Sequence, residues 1–95
     1  MRVGVPKETA PGEERVALVP DIVARLDGID VVVEHDAGIA AGFDDDAYTE
    51  AGGTIVDDAW RGVDVVVKVA KPSSAEIQRM HDGQVLIAFL QPLTD

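Results

Sequence analysis

The sequence predicts an α/β fold: an open, mostly parallel, doubly wound sheet of flavodoxin or Rossmann type with helices on both faces. Three observations predict it. Short runs of continuously apolar, β-branched residues recur at Val31-Val32-Val33, Val65-Val66-Val67 and Val85 to Leu90, the composition of strands covered on both faces. Segments carrying helix-start and helix-stop signals lie between such runs. Strand and helix alternate along the chain, which requires crossover connections and a parallel sheet.

The elements follow in order. Val3-Gly4-Val5 reads as a first strand ended by Pro6, and a long polar segment carrying Lys7, Glu8, Glu14 and Arg15 follows it. Pro20 suits the first turn of a helix, with Asp21 favourable at the positive end of its dipole. Val19, Ile22, Val23 and Leu26 keep helical spacing up to the stop at Gly28. Val31 to Val33 is the second strand, and Glu34 to Gly42 a glycine-containing loop. Asp44 caps the next helix, with Phe43 and Tyr48 in the positions of a hydrophobic staple and Gly52-Gly53 at its end. Thr54-Ile55-Val56 is a short strand. Asp57 or Asp58 can cap a single turn carrying Trp60, whose expected role is packing. The best strand is Val63 to Val69, stopped by Pro72. Ser73 and Glu76 form a capping box that opens a helix presenting Ile77 and Met80, closed at Gly83. Val85 to Leu90 is the last strand, ended by Gln91-Pro92. Because the chain stops at Thr94-Asp95 with no closing helix, residues 1–95 read as a fragment cut inside its fold.

Composition bounds the function. A 95-residue chain with 46% apolar residues holds one core and no second lobe. The absence of cysteine excludes disulfides, thiolate metal sites and a cysteine nucleophile. His35 and His81 make no zinc-like spacing, so no metal is expected. A formal charge of −10 argues against nucleic acid and against docking on anionic lipid. Met1-Arg2 leads directly into a strand, and no apolar run approaches the length of a membrane span, so a cytoplasmic domain is expected without direct membrane insertion.

In a parallel sheet, Lys7 to Arg15, Lys68 to Lys71 and Gln91 all emerge from the carboxyl ends of strands, where open α/β sheets build ligand crevices. Arg15 can hold a carboxylate or phosphate through its planar fork, with Lys68 and Lys71 as point charges. Equally, the lysines can simply keep a strand end solvated while Arg15 pairs with Glu13 or Glu14. No phosphate cradle is present: the chain has neither G-x-G-x-x-G nor a P-loop, and the glycines of Gly38-Ile39-Ala40-Ala41-Gly42 suit a loop or a cap. Glu34-His35-Asp36 is read as a solvated loop, and Asp44-Asp45-Asp46 as the first turn of a helix in preference to a cation site.

Arg2-Val3-Gly4-Val5-Pro6-Lys7-Glu8, followed by Glu14-Arg15-Val16-Ala17-Leu18 and Pro20, resembles the N-terminal domain shared by alanine dehydrogenase and the alpha subunit of proton-translocating NAD(P) transhydrogenase. The resemblance runs on through Val33-Glu34, Ala37-Gly38, Phe43-Asp44-Asp45, Tyr48, Ala51-Gly52, Ile55-Val56, Val66 to Val69 with Pro72, and Val85 to Leu90. It implies a separate Rossmann domain beyond Asp95 that binds NAD, with NADP held on a partner subunit or domain. Saccharopine dehydrogenases share the fold but match the opening motif less well.

By this resemblance Arg15, Lys68 and Gln91 occupy substrate-site positions. The dehydrogenase branch resembles Lys-Val-Lys-x-Pro at the strand end and carries a histidine after the later strand. Here Ala70 replaces the second lysine and Gln91, which cannot titrate, replaces the histidine. Imine reduction needs a proton donor. Direct hydride transfer between two nicotinamides needs positioning. The substitutions therefore favour the transhydrogenase branch. The implied whole is an NAD(H)-binding subunit that dimerises and lies peripheral to a membrane through membrane-embedded and NADP-binding partner subunits, with this fragment inactive alone. A dehydrogenase with a remodelled pocket and a non-catalytic α/β scaffold are the alternatives.

Overall fold

A computed structural model describes residues 1–89. Five strands form one sheet in the order β3-β2-β1-β4-β5, every neighbouring pair parallel. They are β1 (Arg2–Val5), β2 (Asp30–Glu34), β3 (Thr54–Val56), β4 (Val65–Lys68) and β5 (Val85–Ala88). Of the two doubly wound orders, this is the Rossmann one, with its topological switch point between β1 and β4.

Strand parity sorts the core into two layers. Val5, Val31 and Val33 face one side and pack with Val16, Val23 and Tyr48 from the β1–β2 connection and from the helices α1 (Pro20–Val23) and α2 (Asp45–Glu50). Val32 and Val66 face the other side, where Trp60 and Val63 from the β3–β4 connection cover them. Met80, just beyond α3 (Ser74–Ile77), and Leu86 of β5 join this second layer. Gly4 is obligatory at the centre: a methyl there would lie 1.9 Å from the Ala59 carbonyl oxygen. The Ala59 backbone thereby lies directly against β1, while Trp60 packs with Val32 and Val66 of the strands on either side.

The local signals act as expected at α2 and α3. Asp44 Oδ1 accepts from Ala47 N at 3.0 Å, and the Ser73–Glu76 capping box forms in both directions. Tyr48 is fully buried, donates to the Leu18 carbonyl at 2.9 Å, and has its phenol pKa pushed up to about 12 by burial.

Four expectations change. The helix expected to run from Pro20 to Gly28 ends at Val23, because Arg25 and Leu26 tighten into three-residue bonds as the chain turns towards β2. No helical turn forms at Trp60. Asp58 instead accepts from the Trp60 amide at 2.9 Å. Ile77 faces solvent, 52% exposed, and leaves Met80 to pack. The helix expected to close at Gly83, α3, ends at Ile77. In β5, Val85 and Ile87 are 53% and 45% exposed while Leu86 packs inward, the uncovered face that the lack of a closing helix predicts. Among the described residues no helix is long and apolar enough to cross a membrane.

Candidate functional site

The carboxyl ends of β1 and β4 diverge at the switch point, and the long β1–α1 connection fills the opening. Its root is pinned. Pro6 is buried, the Lys7 amide donates to Glu34 Oε1 at 3.1 Å, and the Glu8 carboxylate turns inward with its side chain 2% exposed. Glu8 Oε1 accepts from Lys68 Nζ at 3.0 Å and from Ala70 N at 3.2 Å, while Oε2 accepts from Val69 N at 2.8 Å. Lys68, its side chain 1% exposed, also reaches Glu76 Oε2 at 3.3 Å. The other oxygen of Glu76 accepts from the Ser73 amide. One ammonium and two carboxylates therefore tie the β1 loop, the end of β4 and the start of α3 together behind the cleft.

Past this anchor the loop turns, with Glu13 N donating to Ala10 O at 3.0 Å, and presents Arg15. The Arg15 side chain is half-exposed and forks onto Glu13, with Nε to Oε2 at 2.9 Å and Nη2 to Oε1 at 2.8 Å. This hydrogen bond, reinforced by the Arg15 amide, lowers the Glu13 carboxyl from its usual 4.5 to about 2, and the guanidinium pKa rises in return. Arg15 stands between two openings. On one side is an apolar cavity of about 340 Å³ lined also by Val16, Ala17, Val19, Ala41, Val69 and Phe89. On the other is a charged cleft of about 90 Å³ lined by Lys7, Glu8, Glu13, Glu14, Asp36, Ala37 and Ala40. A guanidinium at the rim of an apolar cavity suits an anionic group attached to a flat or apolar body.

The expected site residues thus separate. Arg15 reaches the cavity, Lys68 lies sealed behind it, Lys71 is exposed, and Gln91 lies outside the described residues. Ala70, with its amide held by Glu8, places a methyl where a second lysine would project. Sequence reading did not assign Glu8 or Glu76 to Lys68. The capping box accounted for only one oxygen of Glu76, and a loop glutamate sixty residues upstream carries no spacing signal.

A second cluster was also missed. Asp45, one residue inside α2, bonds the His35 ring at Nδ1 through Oδ2 and accepts from the Asp36 amide at 2.9 Å through Oδ1. Asp36 Oδ2 lies 3.3 Å from His35 Nε2. Asp45, Asp36 and Asp57 raise the His35 pKa, the bond to Asp45 contributing most. These groups bring three ligand-type atoms within 4.8 Å, but each ring nitrogen already faces a carboxylate, the geometry of an imidazolium between two anions.

The glycines of the 38–42 loop have packing and turning roles. A methyl on Gly38 would lie 2.7 Å from the Tyr48 ring, and Gly42 has φ +95°. In these roles they do not form a phosphate cradle.

Residues 4–95 match the family model described as "Alanine dehydrogenase/PNT, N-terminal domain". The chain belongs to this family. It is 42% identical over 97 residues, 97% of its length, to the NAD(P) transhydrogenase subunit alpha of Cereibacter sphaeroides, and covers 18% of that protein. It is 41% identical over 95 residues to the alanine dehydrogenase of Staphylococcus saprophyticus, covering 95% of this chain and 25% of that one. The crystal structure of a transhydrogenase from Sinorhizobium meliloti superposes with a TM-score of 0.89 at 36% identity, over 95% of this chain and 28% of that one. The chain therefore spans between 18% and 28% of the length of these family members.

Proposed function

We propose that residues 1–95 form the N-terminal part of the NAD(H)-binding alpha subunit of a proton-translocating NAD(P) transhydrogenase, whose whole transfers hydride between NAD(H) and NADP(H). One observation carries the choice of branch. The strand-end lysine is consumed internally by Glu8 and Glu76, and the position where the dehydrogenase branch projects a second lysine holds the methyl of Ala70. Among the described residues the apolar cavity is lined by one guanidinium and apolar side chains, which provides shape and charge and suits a reaction in which the protein holds two reactants in register. The likeness to transhydrogenase alpha subunits supports the same reading.

In this reading a Rossmann domain beyond residue 95 holds the dinucleotide, and the cleft at Arg15 faces it. NADP belongs to a partner subunit or domain. The full subunit pairs with a second copy and meets membrane-embedded partner subunits through protein contacts, which places it in the cytoplasm at a membrane. In it Arg15 is the ligand-facing cation, Lys68 supports the site from behind, and Gln91 is a substrate-site position by resemblance alone. Residues 1–95 alone are expected to be inactive.

The test is a pair of assays on the full-length protein with its partner subunits. NADH-dependent reduction of an NADP⁺ analogue should proceed, and NADH oxidation driven by pyruvate and ammonia should not. The opposite pattern overturns the reading in favour of an alanine dehydrogenase with a remodelled pocket, and activity in neither assay favours a scaffold.

A further inference from the structure

We infer that Glu8 is a positioning residue: its buried carboxylate grips the amides of Val69 and Ala70 and so sets the wall of the Arg15 cavity. Three observations carry this. Both oxygens of Glu8 are committed to the strand end, one to Val69 N at 2.8 Å and the other to Ala70 N at 3.2 Å and Lys68 Nζ at 3.0 Å. Two of the cavity's apolar lining residues depend on this strand end. Val69 lines the cavity itself, and Phe89 hangs from the same strand end by its amide to the Lys68 carbonyl at 2.8 Å. Glu8 and Arg15 also belong to one loop, so a shift of the grip moves one wall of the cavity relative to the other.

Lys68 serves this arrangement as the counter-charge that lets a carboxylate stand in a dry site. The amide bonds and the ion pair do separable work. A glutamine at position 8 keeps the shape of the side chain but has one acceptor oxygen, and it turns an NH₂ group towards donors it cannot bond. Removing the charge of Lys68 together with that of Glu8 relieves the mismatch at position 8, leaves Glu76 with the Ser73 amide as its remaining partner, and leaves the amide mismatch in place.

The proposal rests on the transhydrogenase reading only for its turnover measurement. Glu8→Gln and the double variant Glu8→Gln/Lys68→Met are made in the full-length protein, and amide hydrogen exchange is read at residues 66, 67, 69 and 70. The expected result is exchange at Val69 and Ala70 at least about tenfold faster than wild type in both variants, the loss expected for charge-assisted hydrogen bonds. Val66 and Val67 should keep wild-type exchange in the double variant. Hydride transfer should fall about tenfold in kcat with the KM for NADH within about twofold, also in both variants, because misplaced walls cost turnover more than binding.

Wild-type exchange at Val69 and Ala70 in the double variant overturns the proposal, since Glu8 then only balances a charge. So does uniform acceleration of all four amides in both variants, which means the strand merely loosens. Unchanged kcat alongside selective exchange overturns the positioning role. Absence of hydride transfer from the wild-type protein sinks the transhydrogenase reading instead, and the exchange pattern then decides alone.

Discussion

Lys68→Met is the substitution that most sharply separates a ligand-binding cation from an internal one. Methionine preserves the length and packing of the stem, so the change isolates the charge. In the folded protein Lys68 Nζ has carboxylate oxygens at 3.0 and 3.3 Å, and the side chains of Glu8 and Glu76 are only 2% and 10% exposed. Removing the ammonium leaves two carboxylates in a dry site with no counter-charge, a change that costs about 3–5 kcal/mol where buried pairs have been broken. A solvated strand-end lysine would cost at most about 1 kcal/mol. Thermal unfolding resolves the two, because each kcal/mol moves Tm by about 4–8 °C in a unit of this size and by about half that in a larger cooperative one. Lys68→Met should therefore lower Tm by roughly 10 °C or more. The double variant with Glu8→Gln should recover part of the loss, giving a coupling energy of about 1–3 kcal/mol in the double-mutant cycle. A Tm within about 2 °C of wild type, or strictly additive effects, would refute the placement of Lys68 in a buried network.

Gly4→Ala places a methyl 1.9 Å from the Ala59 carbonyl oxygen and 3.2 Å from Val63 Cγ1, so backbone must move by about 1 Å at a cost of about 1–3 kcal/mol or more; denaturant unfolding and Trp60 fluorescence report it together. The imidazole of His35, its pKa raised by Asp45 and Asp36, contributes stability that is complete below the unfolded value of 6.5 and fades as pH rises through the folded pKa. Urea midpoints measured from about pH 6 to about pH 9 should fall in wild type more steeply than in His35→Gln, and parallel curves would show that the ring carries no linkage. Glu13, lowered from 4.5 to about 2, contributes stability that is present above 4.5 and lost as pH falls through about 2. NMR titration of Arg15→Met should raise the Glu13 midpoint from about 2 part of the way towards 4.5, since the residue-15 amide still donates, whereas a midpoint still near 2 would show that the guanidinium is not its main cause.

What was legible in the sequence was what depends on neighbours in sequence. Asp44 and the Ser73–Glu76 pair announce their helices because a cap acts across three residues. Val31 to Val33 announces a doubly covered strand because nothing else buries three adjacent β-branched side chains. The same rule reads β5 as a strand of this kind, and the lack of a closing helix after it predicts its uncovered face. Its apolar run is as continuous, yet in residues 1–89 only Leu86 finds a covering layer. At the site, Arg15 was visible as a charged residue on an over-long loop, whereas the pairing of Glu8 with Lys68 spans sixty positions and depends on β1 and β4 being spatial neighbours. The His35–Asp45 pair escaped for a related reason: Asp36 takes φ +63°, which turns the chain so that residues pointing apart on an extended strand converge on one helix start.

The position of the cleft follows from the topology that hides those pairings. Crossovers from β1 through β2 to β3 run one way along the sheet and place α1 and α2 on one face; the step from β4 to β5 runs the other way and places α3 on the opposite face, both as right-handedness requires. Two consequences arise at once. The α1–α2 face is left without a helix over β4 and β5, which is why Val85 and Ile87 stand half-exposed there. The connections leaving β1 and β4 also part from each other, and a gap opens between their ends where neighbouring strands elsewhere are bridged by consecutive connections. Glu8 spans that gap with its carboxylate, and Lys68 neutralises it from the far side. An arginine held on the rim of such a gap meets a ligand with backbone already fixed opposite it. On the proposed reading the buried ion pair and the Arg15–Glu13 pair therefore do different work: one sets where the wall stands, and the other occupies the guanidinium until an anion competes for it.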